Sequence, residues 1–413
     1  MGERLLNKTF LFTLVILVPI FDSLTGLLVR GDTLSTGGLG TPSQVIRFFL
    51  IFLSLIIIQS RRRYLPLLLA SLYLITIEII AFIAHQSIQG LMIGFVFSYK
   101  FIYTAFIFFT LDKIFIKENY SEKDVLNLVF KFTGVLCIVF LIGNILAIKT
   151  GIAASFLRSQ GLFSSGNGLG LLMGALTLLM LYGFKQKYLS GTTVKIIYAL
   201  SLLCLVLIAT KATIVFLLLN ILFLIGRLPS LYRFFIVLTL ILIITFYWTQ
   251  IMNVLNVAFE IIIFRFENKV SWMGFLLSGR QDYLDTAFSA FEKSDLIVLR
   301  TIFGAGSFLS YELPNNFSLN YKMLEMDVFD TFFIYGLVGI FLYFYSIIYC
   351  TVKAFRKSRI IGWCSLTLFL HSIFAGHTMF NGLSATGIVF ILLLIRHSSP
   401  KYQKQAVQQS YTS

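Results

Sequence analysis

Apolar runs of roughly 18–22 residues recur from one end of the chain to the other, each long enough to cross ~30 Å of hydrocarbon as a helix. In such a medium every backbone N–H and C=O must be satisfied internally, so only α-helices and closed barrels can span it. A barrel would read as short segments of alternating polarity, whereas these runs are continuous. The expected fold class is therefore an all-α polytopic membrane protein, organised as a single membrane domain over residues 1–413. Only 12% of residues are charged, against about 25% in soluble domains, which argues against an ordinary soluble enzyme.

Read in order, the runs predict about 12 spans. The first five are Thr9–Val29, Ser43–Ser60, Tyr64–Ala84, Gly90–Leu111 and Val125–Ile148. Gly166–Phe184, Ile196–Thr210, Ala212–Gly226 and Phe234–Gln250 follow, then Thr331–Thr351, Ile360–Gly376 and Gly382–Arg396. The first run has Lys and Arg near it but no small-residue cleavage site behind it, so it is expected to stay as a helix. The net charge of +15 concentrates in short connections: Arg61–Arg63, Asp112–Asp124, Lys185–Lys195, Arg227–Arg233 and Lys353–Arg359. That pattern follows the positive-inside rule and predicts both termini on the cytoplasmic face. It favours attraction to anionic lipid over nucleic acid as the meaning of the charge. The four cysteines all lie within apolar runs and lack CxxC spacing, so they are expected to be free thiols with no metal site.

Alternation places the one long non-hydrophobic interval, Ile251–Asp330, outside the cytoplasm. Long loops carried by a rigid scaffold are where binding and chemistry concentrate. Within it, Val254–Phe266 is apolar but too short to span, which suits an interfacial helix. Ser278-Gly279-Arg280 precedes a stretch in which Tyr283, Leu284, Ala287, Phe288 and Phe291 share one helical face, with Ser278 or Asp282 as candidate caps. Phe303-Gly304-Ala305-Gly306 reads as a turn that lets backbones approach closely. Glu325-Met326-Asp327 then leads into the tenth span, with Asp330 a candidate cap.

Five motifs in order, RSQGLFSSGN (Arg158–Asn167), ATK (Ala209–Lys211), SGRQDYLDTAF (Ser278–Phe288), FGAGSF (Phe303–Phe308) and EMDVFDTFFIYGLVG (Glu325–Gly339), resemble the O-antigen ligase / Wzy-type polysaccharide polymerase family. The resemblance covers about Arg158–Gly339. Where ligases of that family carry a His-Asn pair, this chain has Glu325-Met326, which makes it more similar to the chain-extending polymerases. The resemblance implies an inverting, metal-independent glycosyl transfer that needs no cofactor, on the outer face of a bacterial cytoplasmic membrane. A polyprenyl-diphosphate-linked oligosaccharide serves as both donor and acceptor. A chain-length regulator and a flippase are the protein partners it implies, and O-antigen, capsule or exopolysaccharide its products.

That chemistry needs cations to hold the diphosphate as charge develops on the leaving group, and a base for the acceptor hydroxyl. Arg280 and Arg158 are the candidates for the first role; alone, each also reads as an interfacial cation reaching for headgroups. Glu325 and Asp327 compete for the second, against the plainer reading of solvated loop acids. Lys211, Arg265, Gly279, Gly304 and Gly306 are candidate substrate-binding positions, although a tight inter-helix turn would itself explain Lys211. Glu78 and Lys100 are charges inside predicted spans, with a structural ion pair as the favoured reading. Two rivals stand beside the polymerase: the ligase reaction of the same family, and a flippase or transporter of lipid-linked oligosaccharide.

Overall fold

The computed structural model describes residues 2–30, 40–58, 64–86, 88–150, 159–226, 280–306 and 324–397, apart from 294 and 377, with short pieces between 229 and 249. Most of the expected ninth span, the interfacial segment 254–266 and Arg61–Arg63 lie outside those residues. So do Arg158, Arg265 and Gly279.

The described residues are helical and contain no strand. α1 covers Gly2–Arg30, with a π-helical turn at Thr13–Leu17. α2 is Pro42–Ile58, α3 Leu65–His85, α4 Ile88–Lys117, α5 Glu122–Lys149, α6 Gly166–Lys185, α7 Thr192–Ile208 and α8 Lys211–Ile225. Two short helices follow, α9 (Gln281–Glu292) and α10 (Ile297–Phe303). α11 (Asp327–Lys357), α12 (Arg359–Ala375) and α13 (Gly382–His397) complete the set. Six of these, α1, α3, α4, α5, α6 and α11, are long and apolar enough to cross a membrane, and five shorter helices are apolar as well. Large apolar side chains such as Leu68, Leu72 and Ile83 of α3 and Ile138 and Ile142 of α5 point outward, the arrangement a hydrocarbon solvent stabilises.

α6 is the axis of the bundle. It touches α5, α7, α8, α12 and α13, and nearly its whole length is buried. Helices in lipid gain little from hydrophobic exclusion, so close packing must hold them. The small residues of GNGLGLLMG supply it: Asn381 packs on Gly168, Thr213 on Gly170 and Phe216 on Gly174.

The two ends of the bundle differ. At one end, ion pairs join distant helices: Asp112 to Arg396 at 2.7 Å, Glu122 to Lys357 at 2.8 Å, and Glu3 to Lys117. The other end gathers the starts of α2, α6, α8, α11 and α13 and contains the candidate site.

α11 is broken at Gly336, which has φ +62° and ψ −161°. The turn Gly304–Gly306 inserts there. The Ala305 N–H donates to the Phe333 carbonyl at 3.0 Å, and the Tyr73 hydroxyl donates to the carbonyls of Phe303 (2.9 Å) and Tyr335 (2.8 Å). Carbonyls near the break thus find donors from other elements, as a break within a buried helix requires. Gly304 sits at φ +87°, and a Cβ on it would lie 2.2 Å from the Ile334 carbonyl oxygen. Backbone cannot yield as a side-chain tip can. Gly304→Ala should therefore lower the melting temperature in detergent by roughly 5–10 °C, combining left-handed strain with overpacking. An unchanged melting curve would show that the crossing is not tight. Gly306, at φ +74°, packs in the same manner against Ala81 and the Glu78 carboxylate.

Candidate functional site

α9 docks on the start of α11 through the face anticipated from the sequence. Leu284, Ala287, Phe288 and Phe291 meet Leu324, Met326, Phe329, Phe332 and Phe333. Phe288 and Phe291 stand edge-on to Phe333, with ring centroids 5.2 and 5.5 Å away. This aromatic seam positions Arg280, which immediately precedes α9 and caps it without a side-chain hydrogen bond. Its Nη2 donates to Glu325 Oε2 at 2.7 Å, across 45 residues of sequence. The Arg280 side chain is 9% exposed and that of Glu325 41%, so a buried cation holds an acid that reaches the surface.

Glu325 itself occupies the left-handed region at φ +61°. Gly376, in the turn between α12 and α13, packs on its carbonyl so closely that a Cβ there would lie 2.3 Å from the oxygen. Glu325 is therefore gripped through its backbone by one turn and through its side chain by Arg280.

The neighbouring acids have different surroundings. Asp327 is 1% exposed. Its Oδ2 accepts from Ser372 Oγ (2.6 Å), Thr378 N (2.9 Å) and Met379 N (2.8 Å), while the Tyr343 hydroxyl lies 2.6 Å from Ser372 Oγ. Asp330, in the first turn of α11, accepts from the N–H groups of Leu324 (2.9 Å) and Met326 (3.1 Å) and so ties the incoming chain to the helix; it does not cap the N–H groups of α11 itself. Of the two acids competing for the base role, Glu325 is accessible and Asp327 fastens the start of α11 to the α12–α13 turn. Among the described residues, no cluster of three or more His, Cys, Asp or Glu side chains could hold a metal ion. The cysteines are buried free thiols.

Lys211 is the first residue of α8, behind the Thr210 cap, in a turn that packs on Gly170 of α6. It lies within a helix end rather than in an open loop. Gly304 and Gly306 line the backbone crossing at the α11 break and are enclosed by protein.

The sequence gives little notice of a second polar cluster at the same end. Asp22 of α1 and Arg47 of α2 form a buried ion pair at 2.7 Å. Arg30 donates to the carbonyls of Gly161 (2.7 Å) and Phe163 (2.8 Å), and Gly26 lets the 162–164 backbone lie directly on α1. Ser164 and Ser165 are thereby carried to a pocket lined also by Arg47, Tyr99, Lys100 and Asn381. The Glu78–Lys100 pair expected from the sequence does not form. Lys100 faces this pocket with its ammonium 5.4 Å from the Phe97 ring centroid, whereas the Glu78 carboxylate packs over Gly94 and beside Gly306. Lone charges inside apolar helices are the one signal that would have pointed to Asp22 and Arg47.

No family model, curated protein or solved structure matches the chain.

Proposed function

We propose that this chain is a membrane glycosyltransferase that polymerises polyprenyl-diphosphate-linked oligosaccharide repeat units on the outer face of the bacterial cytoplasmic membrane. The observation that carries this reading is the Arg280–Glu325 pair. It couples a fixed guanidinium, suited to phosphate oxygens, to an accessible carboxylate, suited to a sugar hydroxyl proton. In the proposed reaction, Glu325 takes the acceptor hydroxyl proton as that oxygen attacks the anomeric carbon from the face opposite the leaving group. The C–O bond to the diphosphate breaks, and Arg280 meets the charge left on the polyprenyl diphosphate.

Two further features support the reading. Six helices long and apolar enough to cross a membrane, with five shorter apolar ones, fit the expected twelve-span reading, in which 234–250 supplies a further span and the positive-inside rule puts the basic end in the cytoplasm. An apolar cavity of about 300 Å³, lined in part by Leu74, Phe101, Leu368 and Phe369, reaches Thr378 and Met379, whose N–H groups hold Asp327. It offers room for isoprenoid chain beside the acidic cluster.

The test is polymerisation by purified protein given lipid-diphosphate-linked repeat units, with no nucleotide sugar and no added metal. A ladder of products is expected. A transporter of the same lipid is the second reading, favoured by Asp22, Arg47 and Lys100 lying within the helices. No ladder, together with transbilayer movement in vesicles, would establish that reading instead.

A further inference from the structure

We infer that the pocket bounded by Arg47, Tyr99, Lys100, Ser164, Ser165 and Asn381 is an oxyanion-binding subsite, distinct from the Arg280–Glu325 pair. The inference deepens the proposed function by adding a second anion site. Its chemistry stands whether or not the chain transfers sugars.

The pocket holds about 170 Å³, enough for one phosphate or one carboxylate with part of its carrier. Its charges do not balance internally. Asp22 is matched by Arg47 at 2.7 Å, which leaves Lys100 without an ion-pair or hydrogen-bond partner among the described residues. Its ammonium lies 5.4 Å from the Phe97 ring centroid.

A lysine without a counter-ion, beside an arginine and within a bundle of apolar helices, weakens the fold unless something else supplies negative charge. Two further buried polar atoms are unsatisfied at the same place: Arg47 Nε and the Tyr99 hydroxyl, on side chains 5% exposed. Unpaired buried donors cost about 1–3 kcal/mol each, so their coincidence on one pocket points to an absent acceptor. An oxyanion would accept from all three.

The surrounding construction holds the pocket open. Arg30 clamps the 161–163 backbone in place. The Ser165 side chain accepts from Gly168 N at 3.1 Å, which leaves its hydroxyl proton to turn toward the pocket. Gly382 begins α13 at a point where a Cβ would lie 2.0 Å from Arg47 Nε, so only a residue without a side chain allows this approach. Serine hydroxyls and helix starts add donors around the two cations, as oxyanion sites require.

Two sources present this chemistry within reach of a lipid-linked glycan: the phosphates of the carrier lipid, and an acidic substituent on the sugar chain. They are separated by the choice of probe.

The experiment is thermal unfolding of the full chain in detergent, titrated at constant ionic strength with inorganic phosphate and, separately, with glucuronate. It is run for wild type, Lys100→Met and Arg280→Ala. Wild type and Arg280→Ala should be stabilised by several degrees, because Arg280 is already paired with Glu325 in the resting protein, and Lys100→Met by neither probe. Without probe, Lys100→Met should melt no lower than wild type, because the change removes an unmatched charge and orphans no partner. A shift with phosphate alone would assign the subsite to the lipid carrier; a shift with glucuronate alone would assign it to acidic sugars. Stabilisation that persists in Lys100→Met, or that vanishes in Arg280→Ala instead, would overturn the inference, as would no shift with either probe. Since the readout is binding, loss of the shift would leave the glycosyl-transfer reading standing, and absence of product ladders would leave the subsite standing.

Discussion

Replacement of Glu325 by Gln should reduce polymerisation by about 10²–10⁴-fold, the range that general bases contribute, while the protein remains folded. Gln keeps the shape and a hydrogen-bond acceptor for Arg280 but cannot take a proton. Arg280→Ala should lose about 10²–10³-fold, comparable to removing one donor from a developing oxyanion. It removes the cation that meets the leaving group's charge and frees the Glu325 side chain from its 2.7 Å tether. Because each residue acts partly through the other, the double variant should fall far short of the product of the two losses. Arg280→Lys should recover little, since an ammonium cannot hold a carboxylate on one edge and a phosphate oxygen on another. Single-turnover transfer from a lipid-linked repeat unit, normalised to folded protein, measures each effect. Wild-type turnover by Glu325→Gln would remove it from the base role.

The sequence located this pair without joining it. Arg280 and Glu325 each stood out beside a helix start in the long interval, but 45 residues separate them and no local pattern connects them. The aromatic seam that brings them together was half visible, because Leu284, Ala287, Phe288 and Phe291 recur at helical spacing. Its other half, Phe329 to Phe333, reads as an ordinary apolar start to a span.

Helix positions were legible for the same reason, since hydrocarbon imposes a length on each run. α6 and α13 begin at Gly166 and Gly382 as expected. Expectation and structure part where charge is satisfied at a distance. The connector beginning at Asp112 reads as a loop, yet α4 continues to Lys117. Asp112 is fully buried, and its partner Arg396 lies 284 residues away. Likewise α11 starts at Asp327 rather than Thr331, because the acids of its first turn are met by the N–H groups of Leu324, Met326, Thr378 and Met379. The break at Gly336 left no mark in YGLVG, since a helix can carry a glycine and only the inserted turn requires the break. In the sequence Lys100 reads as an intramembrane charge with Glu78 as its partner. Choosing Arg47 and Asp22 as its neighbours requires knowing which faces meet.

Asp327 should separate scaffold from chemistry. Its Oδ2 gathers three donors, two of them backbone N–H groups that no side-chain change can remove. Asp327→Ala would leave those donors buried without an acceptor, with an expected destabilisation of about 3–5 kcal/mol. The α12–α13 turn would come loose from α11. That turn also carries Gly376, which packs on the Glu325 carbonyl, and Asn381 of the anion pocket, so both clusters would lose their register together. Asp327→Asn should be intermediate, because the amide oxygen can still accept from the three donors that converge on Oδ2 but without the carboxylate's charge. Ser372→Ala should be mildest, since it removes one donor and leaves the backbone contacts intact. Melting temperature in detergent should follow the order wild type, Ser372→Ala, Asp327→Asn, Asp327→Ala. Turnover per folded molecule should fall along the same order, as positioning of Glu325 degrades. Asp327→Asn that melts like wild type and yet has no turnover would transfer the base role from Glu325 to Asp327. Such a result would require the three donors to give way during the reaction, so that a buried acceptor became a proton carrier.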